Sequence, residues 1–222
     1  MDAATLASYI DHTCLKPTAD RAEIKLLCEE GGRYGFKSVC LPSAHVAFAA
    51  GILKGSPVLV CTVIGFPLGY DPPAVKAFAA AEAIRAGARE IDMVLAIGAL
   101  KAGRLSEVAE EIRQVVRAAD GNTVKVIIET AYLTDDEKVA AGRICQEAGA
   151  DFVKTSTGFA PNGATVGDVR LLRRTVGPGM GVKASGGIRD LRTTLAMLEA
   201  GANRIGTSFG PQIVEEFLGR EN

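Results

Sequence analysis

Two lysines stand where a folding chain would place aliphatic residues. In GADFVKTSTG (residues 149–158), Phe152 and Val153 open an apolar run that ends in small hydroxyl residues, and Lys154 sits inside it. GMGVKASGGI (residues 179–188) repeats the pattern with Lys183. Burying an ammonium is costly unless a partner neutralises it or its pKa moves. A third charge, Asp92, lies within EIDMVL. One aspartate compensates one lysine, so two lysines leave a surplus positive charge, which a purely structural ion pair does not explain.

A surplus ammonium has a chemical use. Lysine attacks a carbonyl only as the neutral amine, and an ordinary lysine pKa of about 10.4 prevents this near pH 7. Bringing it to about 7 takes about 4.6 kcal/mol. A second cation about 4 Å away, at an effective dielectric near 20, supplies on the order of 4 kcal/mol, and desolvation acts in the same direction. The pattern therefore points to one lysine forming a Schiff base while the other favours its neutral form.

Such a pair needs a scaffold, and the chain marks one by repetition. RAGAREIDMV, EAGADFVKTS and EAGANRIGTS each end a helical pattern at Ala-Gly-Ala and then enter an apolar, β-branched run. Five residues beyond Gly87, Gly149 and Gly201 stand Asp92, Lys154 and Gly206, and Gly35 leads by the same count to Cys40. Strand candidates centre on Asp11, Val39, Cys61, Asp92, Val126, Lys154, Lys183 and Ile205.

The helices between them are marked too. TDDEKVAAGRICQEAG opens on a capping box from Thr134 to Glu137, SEVAEEIRQVVRAADG on Ser106, and PPAVKAFAAAEAIRAG on Pro73. ADRAEIKLLCEEGG is expected as the first helix after the first strand, and TLASYI as a short extra helix before the barrel. Near-continuous apolar strands alternating with helices argue for a parallel sheet covered on its outer face. Eight of them favour an α/β fold of the (β/α)8 TIM-barrel type over an open doubly wound sheet, whose GxGxxG is missing after the first strand. No linker or composition break divides residues 1–222, so one barrel domain is expected. Strand alternation then aims Asp92, Lys154 and Lys183 into the lumen near the strand C-termini, where barrel enzymes do chemistry.

Glycines and hydroxyls follow the same strands. SGGIRD (185–190) and IGTSFG (205–210) come after the last two, and TSTG (155–158) follows Lys154. Such loops bind phosphate through backbone N–H groups and helix N-termini. Gly186, Gly187, Ser208 and Phe209 are expected to present a ring of donors, with Thr157 and Gly158 adding more. Metal chemistry is not expected: the two histidines, His12 and His45, lie in separate segments without ligand spacing, though His12 beside Asp11 could border the site.

The bulk properties are those of an ordinary soluble globular protein. A net charge of −1 with 23% charged residues gives no nucleic-acid surface. The N-terminal MDAATLASYIDHT lacks the pattern of a signal peptide, and no apolar run is long enough to span a bilayer. Five cysteines without a CxxC pair read as reduced thiols of a cytoplasmic protein.

The motifs IDHTCLKP, CTVIGFPLG, EIDMVLAIGALKAG, VKVIIETAYLT, GADFVKTSTGF, GATVGDVRLL, VKASGGIR and GANRIGTS closely resemble those of the 2-deoxyribose-5-phosphate aldolase family, from about Ser8 to Ser208. The resemblance implies a class I aldolase without cofactor. Its reaction would be reversible cleavage of 2-deoxy-D-ribose 5-phosphate to acetaldehyde and D-glyceraldehyde 3-phosphate, in a homo-oligomer (dimer or tetramer). Lys154 would be the Schiff-base lysine, Lys183 its neighbouring cation and Asp92 a partner in proton transfer through water. Asp11 would hold that water. Thr157, Gly158, Gly186, Gly187, Gly206 and Ser208 would surround the substrate and its phosphate.

The chain departs from the family pattern at Pro42, His45 and Phe209, and EEFLGREN carries no tyrosine. Three other readings stay open from the residues themselves. They are a Schiff-base aldolase with a different donor, a metal-free phosphosugar isomerase with Asp92 or Glu129 as base, and a phosphosugar-binding barrel without turnover.

Overall fold

The computed structural model describes residues 1–220. Its strands are β1 (Ile10–Thr13), β2 (Ser38–Leu41), β3 (Leu59–Ile64), β4 (Glu90–Val94), β5 (Thr123–Ile127), β6 (Phe152–Lys154), β7 (Gly181–Ser185) and β8 (Arg204–Thr207). Each pairs in parallel with the next, and β8 pairs with β1, so the sheet closes into a barrel. All eight expected strand centres lie in these strands.

The helices are α1 (Ala3–Ser8), α2 (Arg21–Tyr34), α3 (Val46–Ile52), α4 (Pro73–Arg85), α5 (Ile97–Lys101) and α6 (Leu105–Ala118). They continue with α7 (Asp135–Glu147), α8 (Val166–Val176), α9 (Leu191–Glu199) and α10 (Gly210–Leu218). Capping boxes start α2 at Asp20 and α7 at Thr134, and Pro73 occupies the first turn of α4. The repeated glycines end helices as expected, with positive φ at Gly87, Gly149 and Gly201 directly after the caps Ala86, Ala148 and Ala200. One helix start differs from expectation. The short α5 leads into left-handed Gly103, and α6 restarts at Leu105, so Ser106 falls inside the first turn instead of capping it. The extra helix α1 packs Leu6 and Ala7 on Ile10, Phe36, Leu191, Ile213 and Val214.

Alternation sends Ile91, Met93, Val124, Val126, Val153, Val182 and Ile205 outward into the apolar layer beneath the helices. Their neighbours fill the lumen. The pairing registers arrange these inward residues in tiers drawn from alternate strands, as barrel closure requires. Cys40, Asp92, Lys154 and Gly206 form the upper tier from the even strands. Asp11, Cys61, Lys125 and Lys183 form the next from the odd strands, and Ser38, Glu90, Phe152 and Arg204 the one below. The sequence repeat is thus the even-strand tier, seen in one dimension.

Candidate active site

Three carboxylates and four cations meet in the lumen. Lys154 Nζ and Lys183 Nζ each donate to Asp92 Oδ2 over 2.7 Å. Lys183 also reaches Asp11 Oδ2 at 2.5 Å. Lys125 bridges Asp92 Oδ1 and Glu90 Oε2, both at 2.7 Å. Arg204 spans Asp11 Oδ1 at 2.5 Å and Glu90 Oε1 at 3.0 Å, and Ser38 Oγ donates to Asp11 Oδ1 at 2.7 Å. Asp11, Glu90 and Asp92 stand against Lys125, Lys154, Lys183 and Arg204, so the cluster carries one cation more than it can pair.

Electrostatics decide which group is least firmly held as a cation. Burial raises the Asp92 carboxyl, but the combined pull of Lys125, Lys154 and Lys183 outweighs it and holds the group well below the usual carboxylate range. Asp11 follows the same logic with Lys183, Lys125 and Arg204. Burial lowers Lys183, yet Asp11 and Asp92 win and keep it above an ordinary lysine. Lys125 is raised likewise against its burial, chiefly by Asp92. Arg204, also raised, is held by Asp11 and Glu90. Each of these three cations has at least two carboxylate partners, whereas Lys154 has only Asp92 Oδ2, which it shares with Lys183.

Lys154 is also the lysine of this cluster that opens onto a cleft. The cleft, about 360 Å³, lies at the strand C-termini and is lined by Lys154, Thr157, Gly158, Gly186, Gly187, Gly206 and Ser208. Lys16, Arg189 and Phe209 complete its wall. The N–H groups of Gly158, Gly186, Gly187 and Ser208 have no acceptor among the described residues, and the N-terminus of α10 adds its dipole at the same end. Gly206 keeps this floor open: a Cβ there would lie 3.1 Å from Lys183 Cε and 2.9 Å from Ser185 Cβ.

The structure thus gathers Lys154 and six of the expected substrate-binding residues in one cleft, with Asp92 and Lys183 beneath. Asp11, expected to hold a water at the site, is fully buried beneath Lys183 and does not line the cleft. His12 points away from the lumen; its ring nitrogen meets Glu30 Oε2 at 2.7 Å and its ring packs on Phe36. His45 meets the Ala19 carbonyl, and Pro42 precedes the turn at Ser43–His45; neither lines the cleft. The Phe209 N–H is not a free donor, because it bonds Thr207 Oγ1 at 3.0 Å, and the Ser208 hydroxyl donates to the Thr13 carbonyl.

Two lysines and one aspartate undercount the lumen charge. Lys125, Glu90 and Arg204 were missed, although Lys125 in VKVIIET shows the same anomaly of a lysine inside an apolar strand. Glu90 and Arg204 each stand two residues before a residue already singled out, Asp92 and Gly206, and so share its face. Because Lys125, Lys183 and Arg204 are matched by Asp11, Glu90 and Asp92, Lys154 itself is the surplus cation, and the estimate for a bare neighbour is an upper bound.

Residues 5–215 match the DeoC/LacD family aldolase. A deoxyribose-phosphate aldolase of Macrococcus caseolyticus is 59% identical over 210 residues, covering 95% of this chain and 96% of that protein. One from Carboxydothermus hydrogenoformans is 55% identical, covering 100% and 99%. Among solved structures, the tetrameric deoxyribose phosphate aldolase of Aeropyrum pernix superposes with a TM-score of 0.93 at 36% identity, covering 99% and 93%. With its closed barrel and its buried lysine–aspartate cluster, the chain belongs to the DeoC/LacD aldolase family.

Proposed function

We propose that this chain is a deoxyribose-phosphate aldolase that works through a Schiff base on Lys154. One observation carries the assignment: in a cluster with one unpaired cation, Lys154 alone combines a single shared carboxylate with access to the cleft. Its neutral amine attacks the aldehyde carbon C1 of 2-deoxyribose 5-phosphate, and loss of water gives the iminium. A proton leaves the C3 hydroxyl, the C2–C3 bond breaks, and its electron pair flows into the iminium to form an enamine. D-glyceraldehyde 3-phosphate departs. Protonation at C2 and hydrolysis then release acetaldehyde and free the lysine.

Asp92 Oδ2, hydrogen-bonded to both ammonium groups, is placed to exchange protons with Lys154 through water, and Lys183 disfavours a second charge beside it. Asp11 and Arg204 fix Lys183 from below. The free N–H groups of Gly158, Gly186, Gly187 and Ser208 hold the phosphate about the α10 N-terminus. The rival isomerase base Glu129 is already committed to Thr157. All five cysteines are free thiols and no described helix is long and apolar enough to cross a membrane, which supports a cytoplasmic enzyme. The homo-oligomer is proposed by analogy with the tetrameric relative.

Borohydride added with acetaldehyde tests the assignment. The enzyme should lose activity as the peptide containing Lys154 alone gains a reduced two-carbon adduct. Label on Lys183, or none with acetaldehyde, would overturn it.

A further inference from the structure

Cys40 and Cys61 face each other across adjacent strands. They are register partners in β2 and β3, and both side chains point into the lumen. Neighbouring strands lie about 4.8 Å apart, inside the Cα separation that a disulfide spans. In a closed barrel, inward side chains converge, which brings the two Cβ atoms closer than their backbones. The two sulfurs and an Asp92 carboxylate oxygen lie within 4.8 Å of one another, and all three residues are fully buried. Cys61 is tied to the reaction centre as well: its thiol donates to Asp92 Oδ1 at 3.3 Å and accepts from Lys125 at 3.5 Å.

The same triangle could be read as a cation site, but its surroundings argue otherwise. Three ammonium groups already crowd Asp92, and the cluster holds a positive surplus before any metal enters. Oxidation adds no charge. We infer that Cys40 and Cys61 form a reversible disulfide that switches the aldolase site off under peroxide.

The step balances with hydrogen peroxide as oxidant. The Cys40 thiolate attacks one peroxide oxygen, giving a sulfenic acid and hydroxide, which takes up the thiol's proton as water. The Cys61 sulfur then displaces the hydroxyl from Cys40 as a second water. The two sulfurs together lose two electrons and the peroxide gains them. The first attack falls to Cys40 because its thiol is pulled down by the Cys61 side chain beside it and by Lys183 and Lys154, whereas burial and the neighbouring acids raise Cys61. Closing the bond removes a donor from Asp92 and draws the Cys61 sulfur away from Lys125. Asp92 then loses one of the partners that fix its orientation toward Lys154 and keeps Lys125 alone on Oδ1.

This effect on activity rests on the aldolase reading, but the cross-link does not, so two readouts separate them. The enzyme is treated with millimolar hydrogen peroxide, alkylated under denaturing conditions and mapped by mass spectrometry, with kcat/KM followed in parallel. The expected result is a Cys40–Cys61 linked peptide whose appearance tracks a fivefold or greater loss of kcat/KM, both reversed by dithiothreitol. Cys40→Ala and Cys61→Ser, each compared with its own untreated activity, should lose the dithiothreitol-reversible part. Absence of the linked peptide, a linked peptide with unchanged kcat/KM, or equal reversible loss in both variants would each overturn the inference.

Discussion

Lys154 and Lys183 donate to one and the same oxygen, Oδ2 of Asp92, each over 2.7 Å. Their nitrogens can therefore be no farther apart than those two bonds laid end to end. At a separation of about 5 Å and an effective dielectric near 20, two cations repel by about 3 kcal/mol. Asp92 offsets part of this, but it cannot pair fully with both. Lys183 has Asp11 as a second anchor and Lys154 has none. The shared oxygen thus makes the two lysines unequal.

Replacing Lys183 by leucine removes one cation and brings the cluster to balance. Lys154 then shares Asp92 Oδ2 with no second ammonium, and the repulsion that works against charge at the reacting amine is gone. We expect kcat/KM at pH 7 to drop at least a hundredfold. The pH–rate profile should move alkaline by about one unit or more, since a unit corresponds to about 1.4 kcal/mol. A uniformly low profile with its midpoint unmoved would assign Lys183 a different role.

Lys125 holds the lower half of the cluster together. It bridges Asp92 and Glu90 with both charges wholly buried. Lys125→Met leaves two carboxylates short of a partner, and breaking a buried pair from one side typically costs about 3 to 5 kcal/mol. Urea titration at pH 7 should show a loss of that order. The sign with pH follows from Asp11 and Asp92, both held below their ordinary value of 3.8. Their contribution to stability is complete above that value and disappears as pH falls through the lower native ones. The wild type should therefore lose stability steeply in acid, and Lys125→Met less steeply. Parallel acid curves for the two proteins would mean that Lys125 does not hold these carboxylates down.

The barrel was legible because its signals are local. A capping box at Thr134, a first-turn proline at Pro73 and a left-handed glycine after each Ala-Gly-Ala all act over a few residues, so they survive without tertiary context. The count from glycine to Asp92, Lys154 and Gly206 also survived, because even strands repeat one geometry. What escaped was the composition of the odd and lower tiers. Lys125, Glu90 and Arg204 neutralise one another only across the lumen, and sequence order separates Glu90 from Arg204 by four strands. The donor status of Phe209 escaped for a similar reason: its N–H is taken by a hydroxyl two residues back, which only the turn geometry brings round.

Phe209 acquires a different role from the one its place in the loop suggested. The Arg189 guanidinium lies 5.7 Å from the centre of its ring, and both line the cleft. A ring under a guanidinium steadies it by about 0.5 to 1 kcal/mol at an exposed site. Arg189→Met should thus reduce the preference for deoxyribose 5-phosphate over deoxyribose roughly tenfold, equivalent to about 1.4 kcal/mol. Phe209→Ser, which removes the platform but spares the charge, should reduce it only about twofold to fivefold. The ratio of kcat/KM for the two sugars measures both. A wider preference in Phe209→Ser would show that the ring obstructs the phosphate instead of steadying Arg189.

Glu129 is held in two costly ways at the mouth of the barrel. Its backbone is left-handed, with φ 53° on a residue that carries a Cβ, a conformation that costs about 1 to 2 kcal/mol. Its Oε1 is buried without a partner among the described residues. In return, Oε2 accepts from both the Thr157 N–H, at 3.1 Å, and the Thr157 hydroxyl. The same hydroxyl accepts the Phe159 N–H at 3.0 Å, so one carboxylate oxygen fixes the turn that carries Gly158 into the cleft. Glu129→Ala should loosen that turn without touching the lysines. KM for the phosphorylated sugar should rise about tenfold while kcat changes little, and the free sugar should be handled almost as by the wild type. Glu129→Gln, which retains an acceptor for Thr157, should recover most of the loss. If Glu129→Ala instead lowers kcat equally on both sugars, the carboxylate acts on the reacting carbons, and the isomerase-like reading with Glu129 as base gains the ground that the aldolase reading loses.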